Sequence, residues 1–301
     1  MTFRTSGSSG TPKRCTHRLA ALWEEVNELA LLVPGRRRVL SAVPAHHVYG
    51  FLFTVLLPRA GAALPVTDLR AAAPGAVVAQ LLPGDLMVAH PDFWDLAASS
   101  EPRFPADVVG ISSTAPLRDA SARALASGGL RLLQVYGSSE TAGVGWRDTA
   151  DAPYRLFSYW RRGEEEGTIE RETGGEGERF ALQDRLSWSG PDTFLPEGRI
   201  DAAVQVGGTN VFPAYVAEVL ALHPQVAQCA VRPMRLDEGR RLKAFVVPHP
   251  GNDPAALRAG LSTWIGARLT PAECPAAYSF GPDLPRQPNG KPADWIIDAR
   301  D

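Results

Sequence analysis

Between Val39 and Tyr136 the chain alternates short, mostly apolar runs with helical stretches, and few folds accept that pattern. The runs VLSAV at Val39–Val43, then Leu86–Ala89, Val108–Ser112 and Leu130–Tyr136, read as strands. Helical stretches lie between them, among them the apolar FLFTVLL after a turn with Pro44, His46 and His47, and Arg118–Ser127. A further strand is expected after Gly61. Strands alternating with helices at this spacing indicate a layered α/β sheet, largely parallel. Upstream, Met1–Arg4 reads as a short strand. Leu19, Leu22, Trp23, Val26, Leu29 and Ala30 then recur at helical spacing, until Pro34-Gly35 ends the helix. Arg161–Arg179 is densely charged with five glycines and suits surface hairpins with a solvated face. After Gly198 the pattern changes to a small α+β unit, with helices over Ala214–Leu222 and Pro254–Leu269 and strands at Val226–Val231 and Lys243–Val247. Two domains are expected, 1–198 and 199–301.

Composition narrows the function classes. Of 301 residues, 45% are hydrophobic and 21% charged, which excludes a disordered, collagenous or coiled-coil chain. Lys plus Arg number 31 against 33 acids, a net charge of −2, so no global field draws nucleic acid or an anionic membrane. The longest apolar stretch, around Phe51–Leu57, is too short to span a bilayer, and the polar Met1–Gly10 is no signal peptide. Cys15, Cys229 and Cys274 are too few and scattered for a disulfide framework or a cysteine zinc site. A cytoplasmic globular protein is expected.

The string TSGSSGTPK at Thr5–Lys13 carries the first chemistry. Gly7 and Gly10 let backbone N–H groups line a concavity, the hydroxyls of Thr5, Ser6, Ser8, Ser9 and Thr11 can donate to phosphate oxygens, and Lys13 adds a point charge. It is not a Walker loop, because Gly10 is followed by Thr-Pro-Lys rather than Lys-Ser/Thr.

From these residues the chain resembles the adenylate-forming enzymes: acyl- and aryl-CoA ligases, luciferases and nonribosomal adenylation domains, with 4-coumarate and other aryl-acid ligases closest in motif. The family's phosphate loop reads TSGSTGxPK. Further matches follow in family order: PAHHVYG at Pro44–Gly50, SSTAPL at Ser112–Leu117 (with Ser and Thr where glycines are usual), YGSSE at Tyr136–Glu140, GRID at Gly198–Asp201 and PRQPNGK at Pro285–Lys291. The resemblance implies a layered α/β large domain, shortened at its N-terminus, and a small, mobile α+β C-terminal domain. It implies activation of a carboxylic acid by ATP as acyl-AMP with release of pyrophosphate, then transfer to a pantetheine thiol of a carrier protein or CoA.

Each site residue below is what the resemblance implies. Thr5–Lys13 and Ser139 face the phosphates, and Glu140 binds Mg²⁺. Ser113, Thr114, Ala115, Tyr136 and Gly137 hold the adenine. The family's Thr-Gly-Asp ribose motif is absent as a string. Asp184 precedes Arg199 by fifteen residues and Asp192 by only seven; the family aspartate stands at the longer interval, so Asp184 is the expected ribose acceptor. Lys291 bridges the carboxylate and the α-phosphate, with Arg199 and His47 also catalytic. His47 and Val135, with Ala142–Gly145, border the acyl pocket, where small residues leave room for a ring or a chain end, an aromatic acid being expected. His46 is a packed or surface residue, and His17, His90, His223 and His249 are structural. Asp201 is the hinge, and Gly207 and Gly208 line the thiol tunnel.

Departures matter too. Gln205 stands where many CoA ligases carry lysine, which favours a carrier protein over CoA as acceptor; that departure and Tyr215, at a usually acidic position, bear on the thioester step rather than on adenylation. Relatives carry a long segment before the phosphate loop, here beginning at Thr5, so either a partner chain or self-association completes the large domain or the enzyme is pared down with an open pocket; a homodimer is expected. The non-enzyme alternative is a catalytically weak nucleotide-binding subunit that needs another chain.

Overall fold

The computed structural model describes residues 1–5, 13–61, 63–173, 176–200, 203–235, 237–287 and 293–297. Their contacts form two compact units that divide between Asp201 and Ala202. No helix among them is long and apolar enough to cross a membrane.

The first unit starts with an antiparallel pair, β1 (Thr2–Thr5) and β2 (Lys13–Thr16), in which Phe3 faces Cys15. Helix α1 (Leu19–Leu32) follows over the stretch expected. Next come β3 (Arg38–Ser41), the short α2 (Val48–Phe51), β4 (Val66–Asp68), α3 (Pro74–Val78), β5 (Asp85–Ala89) and α4 (Pro91–Ala98). They lead to β6 (Val109–Ser112), α5 (Asp119–Ser127), β7 (Arg131–Ser138), β8 (Ala142–Arg147) and β9 (Tyr154–Leu156). A three-stranded meander, β10 (Trp160–Arg162), β11 (Thr168–Thr173) and β12 (Glu176–Ala181), precedes the hairpin β13 (Asp184–Trp188) and β14 (Thr193–Arg199).

Nine of these strands make one sheet in the order β13-β14-β9-β8-β7-β6-β5-β3-β4. The largely parallel sheet expected from the strands between Val39 and Tyr136 is present, and the sheet then continues with antiparallel strands. From β4 to β7 every pairing is parallel, whereas β7 to β13 is antiparallel throughout. The physical cause is the change in connection: helices cross over between the early strands, while short turns join β7 to β8, β8 to β9 and β13 to β14, with the meander and β13 intervening between β9 and β14. On β5, Leu86 and Val88 enter one apolar cluster with α1 and the 48–57 segment, and Met87 and Ala89 enter the other with α3, α4 and α5. Both sheet faces are therefore covered, which explains why these strands read as continuous apolar runs.

FLFTVLL departs from the single regular helix expected. After α2 the backbone widens into a π-turn over Leu52–Leu56 and tightens to 3₁₀ over Leu57–Arg59. Pro58 has no N–H to continue an α-helix.

The second unit begins with the hairpin β15 (Val204–Val206) and β16 (Thr209–Val211). Helix α6 (Pro213–Ala221), β17 (Val226–Pro233), β18 (Leu242–Pro248), α7 (Pro254–Gly266) and β19 (Ala277–Phe280) complete it. β18 is central, antiparallel to β17 and parallel to β19, and its Leu242, Ala244 and Val246 meet both helices in one core. Asp253 caps α7 by accepting from the Ala255 and Ala256 amides, both at 3.2 Å.

Trp94 is the largest fully buried side chain of the first unit, and its Nε1 donates to the Ile111 carbonyl at 3.0 Å. Trp94→Ala should lower unfolding stability by about 3–5 kcal/mol, read as a reduced urea midpoint of the large unit.

Candidate active site

The parallel strands deliver their carboxyl ends to one edge of the sheet, the side on which open α/β sheets bind ligands. β3 leads into Pro44–Gly50, β6 into Ser113–Ala115 and β7 into Ser138–Thr141. Tyr49 joins the first two: its hydroxyl lies 3.0 Å from the Ala89 carbonyl and 3.1 Å from that of Ile111.

His47 caps the start of α2, its Nδ1 accepting from the Tyr49 amide at 3.3 Å. Burial, then the neighbouring His46, lowers the His47 pKa, so the ring is neutral at pH 7. His46 is exposed, as expected of a surface residue. Gly50 is required here because a Cβ would stand 2.1 Å from the Pro44 carbonyl oxygen.

Ser113, Thr114 and Ala115 are half-buried beyond β6. Thr114 has φ +84°, in the left-handed region that disfavours a β-branched residue. This is one of the positions where the resemblance has glycine.

The corner after β7 is tightly tied. The Ser138 hydroxyl accepts from the Glu140 and Thr141 amides at 3.2 Å each, and the Ser138 amide donates to Thr141 Oγ1 at 3.1 Å. Gly137 permits the strands to approach there, since a Cβ would lie 2.1 Å from the Ala142 carbonyl oxygen. The corner presents Glu140, and Lys13 Nζ donates to its Oε1 at 2.8 Å. Burial pushes the Glu140 pKa up, but the Lys13 hydrogen bond and charge outweigh it, and the net shift is downward. Ser139 is buried, and its carbonyl accepts from His17 Nε2 at 2.7 Å. His17, read from sequence as structural, thus supports the corner directly, and its own pKa is lowered chiefly by burial.

On the antiparallel side, Tyr136 donates its hydroxyl to Asp184 Oδ2 at 2.8 Å. Burial first, then the Asp184 charge, keeps that hydroxyl protonated. Asp184 stands opposite Arg199 in the β13–β14 register. Tyr136, Asp184 and Arg199 are thereby gathered, whereas Asp192 belongs to the turn joining the two strands. In the second unit Gly207 and Gly208 turn the β15–β16 hairpin with φ +55° and +80°. Ser6, Gly7, Ser8, Ser9, Gly10, Thr11, Asp201 and Lys291, together with the Thr5 side chain, lie outside the described residues.

One expectation is corrected. Gly143 and Gly145 do not leave open room for a ring. A methyl on Gly143 would stand 2.3 Å from Glu25 Oε1 and 3.0 Å from the Phe157 ring. One on Gly145 would stand 2.5 Å from the Arg155 carbonyl oxygen and 2.9 Å from the Phe194 ring. The chain's own cross-strand neighbours take that space.

Sequence reasoning missed the group responsible. Glu25, on α1, is fully buried, and its Oε1 accepts from the Gly143 amide at 2.9 Å. Tyr159 Oη and Trp160 Nε1 donate to the Gly143 carbonyl at 3.2 and 2.7 Å. Arg171 sits over the Tyr159 ring at 4.1 Å and pairs with Glu24 at 3.0 Å. The 161–179 segment is a set of hairpins as expected, but Ile169, Glu170 and Arg171 are buried rather than solvated. The available signal was Ile169 alone, an aliphatic residue inside a charged run.

Burial raises the Glu25 carboxyl to about 7, against the Arg171 charge and the Gly143 hydrogen bond. The folded state therefore holds a proton that the unfolded state gives up near 4.5. This group's stabilising contribution is complete below about 4.5 and is lost as pH rises through about 7. Glu25→Gln should remove that slope, gaining roughly 3 kcal/mol on wild type between acid and pH 8. Urea unfolding at the two pH values checks it.

The AMP-binding enzyme family matches residues 3–159, and the C-terminal domain of AMP-binding enzymes matches residues 215–291. The 4-coumarate–CoA ligase of Halorhodospira halophila is 41% identical over 294 residues, covering 97% of this chain and 74% of that protein. The Rhodobacter capsulatus enzyme of the same name is 42% identical over 300 residues, with the same two shares. Among solved structures, the amide bond synthetase of Marinactinospora thermotolerans superposes with a TM-score of 0.78 at 20% identity, over 97% of this chain and 67% of that one. The o-succinylbenzoate CoA synthetase of Bacillus subtilis, at 0.75 and 17% over the same shares, has the same fold. The chain belongs to the AMP-binding, adenylate-forming enzymes.

Proposed function

We propose that this protein activates an aryl or acyl carboxylic acid with ATP, forming acyl-AMP and pyrophosphate, and then passes the acyl group to a pantetheine thiol. The observation that carries this reading is the pairing of Lys13 with Glu140, beside Tyr136 with Asp184, at the carboxyl edge of the sheet. Two anions must meet for the carboxylate to attack the α-phosphate, so the site must supply fixed positive charge and donors. Lys13 and the hydroxyls of Thr5–Thr11 would hold the departing pyrophosphate, with Ser139 at the α-phosphate. Tyr136, Gly137 and the Ser113–Ala115 segment would take the adenine, with Asp184 accepting from the ribose and Arg199 beside it. His47, neutral at pH 7, would border the incoming carboxylate. Lys291 would bridge carboxylate and α-phosphate in the transition state.

Glu140 suits Mg²⁺: it is a hard oxygen donor with its pKa held down. No group of three or more metal-binding side chains exists among the described residues, so the phosphates would complete the shell. The ion would neutralise phosphate charge.

For the thiol acceptor, the relatives named 4-coumarate–CoA ligase favour CoA and an aromatic acid, while Gln205 in place of lysine favours a carrier protein. In either case the Gly207-Gly208 turn would line the thiol's path and Asp201 would be the hinge, with residues 199–301 the domain that moves. The homodimer expected above belongs to the same reading.

Pyrophosphate exchange across a panel of hydroxycinnamic, benzoic and fatty acids tests the proposal. Exchange with none of them, alongside tight ATP binding, would favour a nucleotide-binding partner subunit instead. Lys291→Ala should lose about 10²–10³ in exchange rate while retaining ATP affinity by calorimetry.

A further inference from the structure

The second unit buries a charge that the proposed chemistry does not use. Lys243, on β18, has no solvent contact. Its ammonium donates to Glu238 Oε2 at 2.8 Å and to the Trp295 carbonyl at 2.7 Å, and it lies 3.0 Å from Asp294 Oδ1. The Trp295 indole stands 5.2 Å from Nζ and packs edge-on against Phe245 at 5.7 Å. Arg235 adds a second cation, 3.0 Å from Glu238 and 3.7 Å from Asp294. An apolar residue would fill a position between Leu242 and Ala244 without the desolvation penalty of a buried ammonium.

What the lysine adds is a grip on chain that follows the last strand. β19 ends at Phe280, and Asp294-Trp295 has no ladder to hold it. The Ala293 amide donates to the Pro285 carbonyl at 2.9 Å, so the chain that leaves at Pro285 returns to the same point. In sequence Lys291 lies between Pro285 and Ala293. Only two peptide units, about 7 Å at full extension, separate it from Ala293, which adjoins the clamp.

We propose that Lys243 is a positioning residue for the acid-activating half-reaction: by clamping Asp294 and the Trp295 carbonyl to β18, it fixes the root of the segment that carries Lys291. This rests on the role proposed above for Lys291. Lys243 touches no substrate in this scheme, and its loss acts on the step that needs Lys291, not on transfer of a finished adenylate to a thiol.

Lys243→Met, Asp294→Asn and Lys291→Ala, each in the full chain, test it with an acid that wild type activates. Lys243→Met should lower the exchange kcat by about tenfold or more with KM values held within about twofold, while thioester formation from supplied acyl-adenylate stays within about twofold of wild type. Hydrogen exchange should quicken at residues 293–297 and leave β17 and β18 unchanged. Asp294→Asn, which keeps the Glu238 and Trp295 contacts, should show the same split at smaller size and decides the matter if Lys243→Met does not fold. Exchange at the wild-type rate in folded Lys243→Met, or equal loss in both half-reactions, overturns the proposal. Wild-type exchange in Lys291→Ala overturns the parent reading and this one with it, whereas a defective Lys291→Ala beside an unaffected Lys243→Met overturns this one alone.

Discussion

The sheet from β3 to β7 is apolar on both faces, and the rest of the first unit follows from that constraint. A strand covered on both sides can meet its polar backbone only within the sheet or through side chains that reach its ends. The Ile111 carbonyl, near the end of β6, shows the solution. Trp94 Nε1 reaches it from one apolar cluster and the Tyr49 hydroxyl from the other. Trp94 comes from the helix after β5, beside β6, and Tyr49 from the short helix after β3, one strand further on. Packing of the two layers and placement of the strand ends are therefore one problem, and the loops at those ends inherit a rigid base.

Ionisable groups are buried in each unit, and in each case they tie non-adjacent pieces of chain. Glu25 on α1 holds the Gly143 amide of β8, and Arg171 of the meander pairs with Glu24 and lies over Tyr159. Lys243 does similar work for the second unit. Such groups weigh little in favour of stability, because desolvation offsets most of their attraction. What they confer is a defined register between elements that apolar packing alone would hold less strictly.

Local pattern was legible; long-range partnership was not. The α1 periodicity, the apolar strands and the turn at Pro34-Gly35 rest on contacts close in sequence, and they appear in the structure within a residue or two. The fifteen-residue interval from Asp184 to Arg199 proved to be a hairpin register, which places the two side by side. Glu25 was hidden because an acid at one helical position looks like any solvated acid until the strand it meets, 118 residues on, is known. The same distance concealed the filling of Gly143 by Glu25, and led the small residues there to be read as room. The meander's buried arginine was masked by the charges flanking it. Strand direction up to β7 was legible too, because crossover helices between strands impose parallel pairing.

Thr114 bears on motion as well as shape. A glycine at φ +84° moves freely between mirror-related basins, and its unfolded chain is correspondingly broad. A threonine narrows the unfolded ensemble but is strained when folded, by about 1–3 kcal/mol, so the two effects oppose one another. The segment after β6 is then held in its conformation by its surroundings against its own preference. A loop of that kind has fewer alternative states to visit, and under the proposed function a nucleotide would meet a surface already set.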